Sequence, residues 1–299
     1  MIIILGPTAV GKSKLALELA KRINGEIISA DSMQVYRGMD IGTAKPTKEE
    51  EQSLPHHLIN IRNPDEEWTV SDFVEQTNQL EKEIASRKKT PLIVGGTGLY
   101  LWSLLEGYSF PVAPVNKELR QRLEKEPLTT LYRQLTKIDP DAANKIHPND
   151  RKRIIRGLEV YELTGKPMSE LQKKRDNPSH LSASNPHLIL GLNLPRPELY
   201  ERINQRVGQM IVKGLIEEVK GLLAKGYAKT LPSFQALGYK EVVEYLDGKG
   251  NKEDLLVELK KRTRHFARRQ LTWFKRFKEV KWLEPTIDIT SILDYINNI

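Results

Sequence analysis

Ile2-Ile3-Ile4-Leu5-Gly6-Pro7-Thr8-Ala9-Val10-Gly11-Lys12-Ser13 is the stretch from which the architecture can be read. Four apolar residues stopped by a glycine are the pattern of a strand buried on both faces. From Ser13 to Ile23, apolar Leu15, Leu19 and Ile23 recur at helical spacing beside Ala16 and Ala20, so a helix is predicted directly afterwards. Between the two, Gly6, Pro7, Thr8, Ala9, Val10, Gly11, Lys12 and Ser13 fit the phosphate-loop pattern G-x-x-x-x-G-K-[ST]. Glycines let backbone N–H groups close around phosphate oxygens, and the helix N-terminus adds partial positive charge. Lys12 would neutralise the phosphates and Ser13 would ligate Mg²⁺, the expected cofactor. A glycine turn that binds nothing is the plainer alternative, and the strand and helix on either side argue against it.

Outward from this loop the alternation continues. Glu26-Ile27-Ile28-Ser29-Ala30-Asp31 reads as a second strand. Trp68 to Arg87 reads as a helix with Ser71 as its cap, and Pro91-Leu92-Ile93-Val94-Gly95-Gly96 as another buried strand with a glycine turn. This β-α-β rhythm predicts an α/β fold, a doubly wound parallel sheet built on the phosphate loop. The rhythm breaks between residues 113 and 186, where the pattern is charged and helical, punctuated by prolines and without a strand candidate. His187-Leu188-Ile189-Leu190-Gly191-Leu192-Asn193-Leu194 then returns as a strand, followed by a long helix from near Pro197 or Glu198. The expected organisation is a core of residues 1–112 and 187–299 with a helical C-terminal part, interrupted by a helical insertion at 113–186.

Composition narrows the function classes. The 299 residues contain no cysteine, which excludes disulfides, thiolate metal sites and cysteine nucleophiles, and fits a cytoplasmic protein. No apolar run is long enough for a membrane helix, and no signal peptide is expected. His56 and His57 have no partner at metal-ligand spacing and are expected in a loop. The net charge of +8 is unevenly spread. Residues 1–110 hold 12 basic and 15 acidic side chains, whereas 111–186 hold 15 and 10, and 187–299 hold 20 and 14. The basic excess in the later segments suits a polyanionic partner, although a solvated lysine-rich surface would give the same sum.

A motor-type ATPase or GTPase needs an acidic Mg²⁺ ligand after an apolar strand. Leu92-Ile93-Val94 runs instead into Gly95-Gly96-Thr97-Gly98, and the carboxylate, Asp31, follows the other strand. In an open α/β sheet the loops at the carboxyl ends of strands line the ligand crevice. Gly6–Ser13, Asp31–Gln34 and Gly95–Gly98 should therefore converge, placing a carboxylate and a hydroxyl opposite a bound diphosphate. That layout suits group transfer to a second substrate, unless Asp31 merely caps a turn.

Three stretches carry a family resemblance: Gly6–Ser13, then Asp31-Ser32-Met33-Gln34-Val35-Tyr36-Arg37-Gly38-Met39-Asp40-Ile41-Gly42-Thr43-Ala44-Lys45-Pro46, then Gly95-Gly96-Thr97-Gly98-Leu99-Tyr100. With His147-Pro148-Asn149-Asp150-x-x-Arg153, Leu237-Gly238-Tyr239-Lys240 and Ala267-x-x-Gln270-x-x-Trp273-Phe274, the chain resembles the tRNA dimethylallyltransferases over nearly its whole length. The family moves a dimethylallyl group from its diphosphate to the N6 amine of the adenine 3′ to the anticodon. The resemblance implies that the loop holds dimethylallyl diphosphate, although the loop pattern alone would equally suit ATP. It implies that Lys12, Ser13 and Mg²⁺ stabilise the departing diphosphate, that Asp31 takes the amine's proton, and that Thr97 orients the amine or the diphosphate. Arg202 or Arg206 would reach the diphosphate, and the sequence does not choose between them.

For the anticodon stem-loop, the resemblance implies contacts at Asp31, Ser32, Met33, Gln34 and Thr97, at Lys152, Arg153, Ile154, Ile155 and Arg156, and at Gln235, Ala236, Leu237, Gly238, Tyr239 and Lys240. Arg120 sits near a further contact position. The basic run Lys260–Arg269 is interleaved with aromatics, and Phe266, Trp273 and Phe277 are assigned to helix packing rather than to base stacking. Animal and fungal relatives often add a C-terminal zinc finger, which a cysteine-free chain cannot build, so a bacterial-type monomer without a membrane association is expected. The alternatives are an adenylate dimethylallyltransferase acting on a free nucleotide, a small-molecule kinase using the same loop, and a non-enzymatic RNA-binding module. A kinase would need a lid with paired arginines, which is not recognisable here, and an RNA-binding module has no use for a diphosphate cradle.

Overall fold

The computed structural model describes residues 1–106, 116–172 and 187–297. Arg175–His180, the polar stretch at the end of the expected insertion, lies outside the described residues. The chain divides into two compact units, Met1–Trp102 with Ser184–Ile299, and Ser103–Ala183.

The first unit is built on a six-stranded sheet in the order β3-β2-β4-β1-β5-β6. Its strands are β1 (Ile2–Leu5), β2 (Gly25–Ala30), β3 (His56–His57), β4 (Thr90–Gly95), β5 (Leu188–Leu192) and β6 (Val280–Leu283). Every pairing is parallel. β1 is buried along its whole length, as expected of a strand covered on both faces. Side chains alternate across the sheet. Ile2, Ile4, Ile27, Leu92, Val94, Leu190 and Leu192 join one core cluster with Ala16, Leu19 and Ala20 of α1 (Lys12–Arg22). Ile3, Ile28 and Ile93 turn to the other face, on which α3 (Val70–Ser86) packs against β2 and β4 with buried Phe73 and Ile84. The short α2 (Lys48–Ser53) precedes β3, and α4 (Gly98–Glu106) leads out of β4.

Local signals fix most boundaries. α3 starts at Thr69 rather than at Ser71, because Asp72 sits three residues after Thr69 and completes a reciprocal capping box. His56 and His57 are not loop residues. They form the edge strand, where the His57 ring bonds the Glu26 carboxylate at 2.7 Å. β6 was not anticipated, since Val280-Lys281-Trp282-Leu283 lies inside a segment otherwise read as helical.

The second unit contains α5 (Lys117–Lys125), α6 (Leu128–Ile138), α7 (Pro140–Lys145), α8 (Arg151–Thr164) and α9 (Met168–Leu171), with no strand among its described residues. Its core gathers Leu123, Leu131, Leu135, Ile146, Ile154, Ile155, Leu158 and Met168. α8 begins on an Asp150 cap and stops at Gly165, whose φ of 69° is the left-handed conformation glycine adopts cheaply.

After β5 the first unit is completed by α10 (Arg196–Val212), α11 (Leu215–Ala224), a 3₁₀ turn (Pro232–Gln235), α12 (Tyr239–Leu246), α13 (Lys252–Phe274) and α14 (Ile289–Asn297). α13 runs along α10 and α12. It is the longest helix described, at 23 residues, and opens on an Asn251–Asp254 capping box.

Candidate active site

Register alone brings the three expected loops together. Leu5 of β1 pairs with Gly95 of β4, and Gly95 pairs with Ala30 of β2. The residues that follow are therefore Gly6, Gly96 and Asp31, side by side at the carboxyl edge of three adjacent strands. Gly6 must be glycine on two counts: its φ is 154°, and a Cβ there would stand 2.6 Å from the Leu192 carbonyl oxygen. α1 begins at Gly11 without a side-chain cap, so the N–H groups of its first turn are free to meet an anion.

A cleft of about 140 Å³ is lined by Thr8, Lys12, Ser13, Asp31, Arg206 and Gln270, among others. Lys12 folds back over the loop and donates from Nζ to the Pro7 carbonyl at 2.8 Å. Burial pushes its ammonium down to about 7; nearby Arg206 presses in the same direction and Asp31 opposes it. The Arg206 guanidinium is also held below its ordinary range by burial, against the pull of Asp31. Two cations thus face one carboxylate in a partly dehydrated cleft.

Asp31 does make a turn, since its Oδ1 accepts the Met33 N–H at 2.9 Å. That leaves Oδ2 for a substrate proton. Thr97 Oγ1 accepts the Ser32 N–H at 3.1 Å, so its hydroxyl proton remains available to donate. The Thr97 N–H itself is held by the Ala30 carbonyl at 3.2 Å. A second, larger cleft of about 470 Å³ shares Thr8, Asp31, Thr43, Arg206 and Phe266 with the first. It is also lined by Ser32, Met33, Thr97, Gln235, Ala236, Leu237 and Gly238. Asp31 and Arg206 therefore stand where the two clefts meet.

Several expected residues fall elsewhere. Arg202 pairs with Glu198 at 2.8 Å and lines, with Arg206, Lys12 and Ser13, a recess at the start of α1; Arg206 also lines the cleft that holds Asp31. Gln34 lines the smaller cleft, but its amide is spent internally, on the Ser29 hydroxyl and the Thr43 and Ala44 carbonyls. Tyr239 is fully buried, with its hydroxyl donating to Glu218 at 2.6 Å, and neither it nor Lys240 lines either cleft. Glu218 also accepts the N–H groups of Asp40, Ile41 and Gly42, and so ties down the segment that leads to Thr43.

In the second unit, Ile154 and Ile155 are core residues, so their side chains are unavailable for RNA. Arg120 and Arg156 both bond the fully buried Glu159, which needs compensating charge in the interior. Lys152 and Arg153 are the exposed cations of that segment, Arg153 lying 3.4 Å from Asp150.

One position in the site, Gln270, carried no individual assignment in the sequence, and another, Phe266, was assigned to helix packing. Gln270 on α13 is buried; its Oε1 accepts the Thr8 N–H at 2.8 Å and its Nε2 donates to the Gly96 carbonyl at 3.0 Å. One amide therefore clamps the phosphate loop to the loop after β4. Gly96 leaves room for it: a Cβ there would lie 2.2 Å from Nε2. Phe266 lines both clefts rather than packing in the core, while Trp273 lies against Gly98 and Phe277 against Phe274 and Trp102. The only signal for Gln270 was its place in the Ala267-x-x-Gln270-x-x-Trp273 pattern.

The donors fit a magnesium ion held mainly by substrate. Among the described residues no group of three or more His, Cys, Asp or Glu side chains forms a metal cage. The exposed Ser13 beside the cleft and the Asp31 carboxylate are hard oxygen donors, of the kind that bind Mg²⁺ together with phosphate oxygens and water.

Residues 34–277 match the family model described as IPP transferase. A tRNA dimethylallyltransferase of Caldanaerobacter subterraneus subsp. tengcongensis is 50% identical over 290 residues, covering 94% of this chain and 90% of that protein. Another, from Anoxybacillus flavithermus, is 46% identical over 302 residues, covering 99% and 96%. Among solved structures, the tRNA isopentenylpyrophosphate transferase of Bacillus halodurans superposes with a TM-score of 0.72 at 42% identity, covering 99% of this chain and 95% of that one. A eukaryotic dimethylallyltransferase acting on tRNA reaches a TM-score of 0.80 at 31% identity, covering 100% and 79%.

Proposed function

The chain belongs to the IPP transferase family, and from that premise we propose that it transfers a dimethylallyl group from dimethylallyl diphosphate to the N6 amine of the adenine 3′ to the anticodon in tRNA. The observation that carries the reaction is the meeting of the two clefts at Asp31 and Arg206. The diphosphate lies on the Gly6–Ser13 loop, with its charge met by Lys12, Arg206 and the N–H groups of the first turn of α1. The adenine, flipped out of the anticodon loop, enters the larger cleft between Ser32, Met33 and the Gln235–Gly238 segment.

An adenine amine is a poor nucleophile because its lone pair is delocalised into the ring. Asp31 Oδ2 accepts a proton from N6 as the new N–C bond forms, while Thr97 donates to the amine or to the diphosphate and fixes its position. The C–O bond of the prenyl diphosphate breaks, and its electron pair leaves on the diphosphate, which Lys12 and Arg206 neutralise. Mg²⁺, held by the Ser13 hydroxyl and the diphosphate itself, would supply further charge neutralisation. Of the expected tRNA contacts, Asp31, Ser32, Met33, Thr97, Gln235, Ala236, Leu237 and Gly238 line the larger cleft, and Lys152 and Arg153 are exposed. A free-nucleotide enzyme would have the same chemistry; the helical second unit and the basic excess after residue 110 favour tRNA.

Among the described residues no helix is long and apolar enough to cross a membrane. A cytoplasmic monomer is part of the proposal, and the cysteine-free sequence suits a reducing compartment.

The test is labelled dimethylallyl diphosphate offered with unmodified tRNA, with AMP and with ATP. Label should pass to tRNA only, and Asp31→Asn should lose about 10²–10⁴-fold in turnover while still binding both substrates. Label passing to AMP but not to tRNA would overturn the assignment.

A further inference from the structure

The carboxylate of Glu218, on α11, takes no part in prenyl transfer as described above and lines neither cleft. It is nevertheless heavily engaged. Its Oε2 accepts the N–H groups of Asp40 and Ile41 at 2.9 and 2.8 Å. Its Oε1 accepts the Gly42 N–H at 3.2 Å and the Tyr239 hydroxyl at 2.6 Å. Three consecutive backbone donors on one carboxylate fix the path of residues 40–42, because displacing any of them gives up a charge-assisted hydrogen bond. The fourth donor comes from a distant part of the chain.

Tyr239 opens α12 and is fully buried. Its ring meets the Phe234 ring edge-on at 6.5 Å, and a phenol buried among such neighbours needs a partner for its hydroxyl. Glu218 is that partner. Burial first, and then the Glu218 charge, push the hydroxyl above its ordinary range, so it remains a donor. Gly42 permits the close approach, since a Cβ there would lie 2.4 Å from the Tyr239 ring. One carboxylate and one ring therefore lock residues 40–42 against the start of α12.

These two segments are walls of the larger cleft. Gly42 and Thr43 contribute to its lining from one segment, and residues 235–238, which lead directly into Tyr239, contribute from the other. The part of the same loop that lines the smaller cleft, Thr43 to Pro46, is held by other bonds. The Gln34 amide donates to the Thr43 and Ala44 carbonyls at 3.2 and 3.3 Å. Lys45 Nζ donates to the Tyr36 carbonyl, Asp40 Oδ1 and Asn60 Oδ1 at 2.5, 2.7 and 2.6 Å. Loosening Glu218 thus disturbs the larger cleft while the anchors of the smaller one stay in place.

We propose that Glu218 is a positioning residue for the acceptor base, acting through Tyr239 and the N–H groups of residues 40–42 to hold two walls of the larger cleft at the spacing a flipped purine needs. The proposal rests on the tRNA reading above and adds to it a residue that touches neither substrate. A misplacement of about 1 Å at a reacting atom can cost about 10²-fold in rate, so a remote carboxylate that sets a wall can govern turnover.

The experiment uses two anticodon stem-loop RNAs, one with the target adenine and one with 2-aminopurine in its place, whose fluorescence changes as the base leaves the stack. Glu218→Gln keeps the side chain's shape but turns one acceptor oxygen into an NH2 group facing its former donors. In this variant the probe signal per bound RNA should be at least about threefold smaller than in wild type, and turnover on the adenine stem-loop about 10- to 100-fold lower. Affinity for the stem-loop, read by anisotropy, and for dimethylallyl diphosphate should each change less than about threefold. A merely structural role would instead lower every readout together. Tyr239→Phe deletes a single hydroxyl, should show the same pattern with turnover down about tenfold, and carries the test by itself if Glu218→Gln does not fold. Wild-type turnover and probe signal in folded variants overturn the proposal while leaving the tRNA reading intact. Loss of dimethylallyl diphosphate binding in step with turnover makes Glu218 a general prop of the fold and also overturns it. A wild type that prenylates AMP and ignores the stem-loop overturns the tRNA reading itself.

Discussion

Diphosphate binding should draw a proton into this enzyme, and the amount follows from Lys12. Without ligand, burial, aided by Arg206, brings the Lys12 ammonium down to about 7, and its Nζ rests on the Pro7 carbonyl. A lysine so placed is about half neutral at pH 7 and about nine-tenths neutral at pH 8. A diphosphate on the loop supplies the negative charge the cleft lacks and restores the protonated form. Titration at pH 8 should therefore take up close to one proton, about 0.9, through Lys12, and at pH 6 only about 0.1. Calorimetry in two buffers of different ionisation enthalpy measures this directly. Lys12→Met removes the titrating group, and the difference between wild type and variant subtracts protons taken or released by the ligand itself. Affinity should weaken as pH rises above 7 in wild type and not in the variant. The same depression has a sign for stability. The unfolded chain holds the Lys12 proton up to about 10.5, so the ligand-free protein gains stability as pH climbs from about 7 towards that value. Equal proton uptake by wild type and Lys12→Met at pH 8 would refute the reasoning, because Lys12 would then already be charged before the ligand arrives.

Two further outcomes are expected. Gln270→Ala leaves the Thr8 N–H and the Gly96 carbonyl without their partner, at about 1–3 kcal/mol for a buried group, so kcat/KM for the diphosphate should fall about 5- to 150-fold; wild-type kinetics in a variant shown to be folded by guanidinium denaturation would remove Gln270 from the site's construction. Glu26 is held down to about 2: burial works against its ionisation, but hydrogen bonds from Lys89, His57 and Arg87 prevail. Its stabilising contribution is therefore complete above about pH 4.5 and lost as pH falls towards 2. The urea-midpoint gap between wild type and Glu26→Gln should narrow over that window, and a gap unchanged down to pH 3 would contradict the account.

The parts that could be read from the sequence are those whose physics is local. The phosphate loop needs a strand, two glycines and a lysine within thirteen residues, and those residues announce themselves. The buried strands β1, β4 and β5 carry apolar runs because both of their faces are covered, and β2 carries the apolar pair Ile27 and Ile28 between Glu26 and Ser29. β6 was missed because it is an edge strand, with Trp282 exposed and Lys281 set over the Tyr295 ring. β3 was missed because it is two residues long and is placed by pairing with β2 and by the His57–Glu26 bond, a contact of 31 residues' separation. Gln270 is the extreme case: its two hydrogen bonds reach 262 and 174 residues back along the chain. No periodicity or spacing encodes such a bridge. Arg120 and Arg156 looked like surface charges open to RNA for the same reason, because the residue that claims them, Glu159, is recognisable as an interior carboxylate only once α8 is packed.

What the folded chain adds is a division of its positive charge that composition conceals. Buried carboxylates collect cations wherever the interior needs them. Glu26 takes Arg87 and Lys89, Glu159 takes Arg120 and Arg156, and Glu241 helps to hold Arg262. Those pairs neutralise a charge that would otherwise be costly to bury. Around the two clefts the balance is different. In the smaller cleft Lys12 and Arg206 both feel the carboxylate of Asp31. Along the exposed face of α13, Arg268 and Arg269 face solvent beside the larger cleft. A transferase that joins a diphosphate to a polynucleotide must attract two anions and keep them apart until the bases and the prenyl carbon are aligned. The two clefts meet at Asp31, whose carboxylate stands between the phosphate loop and the larger cleft.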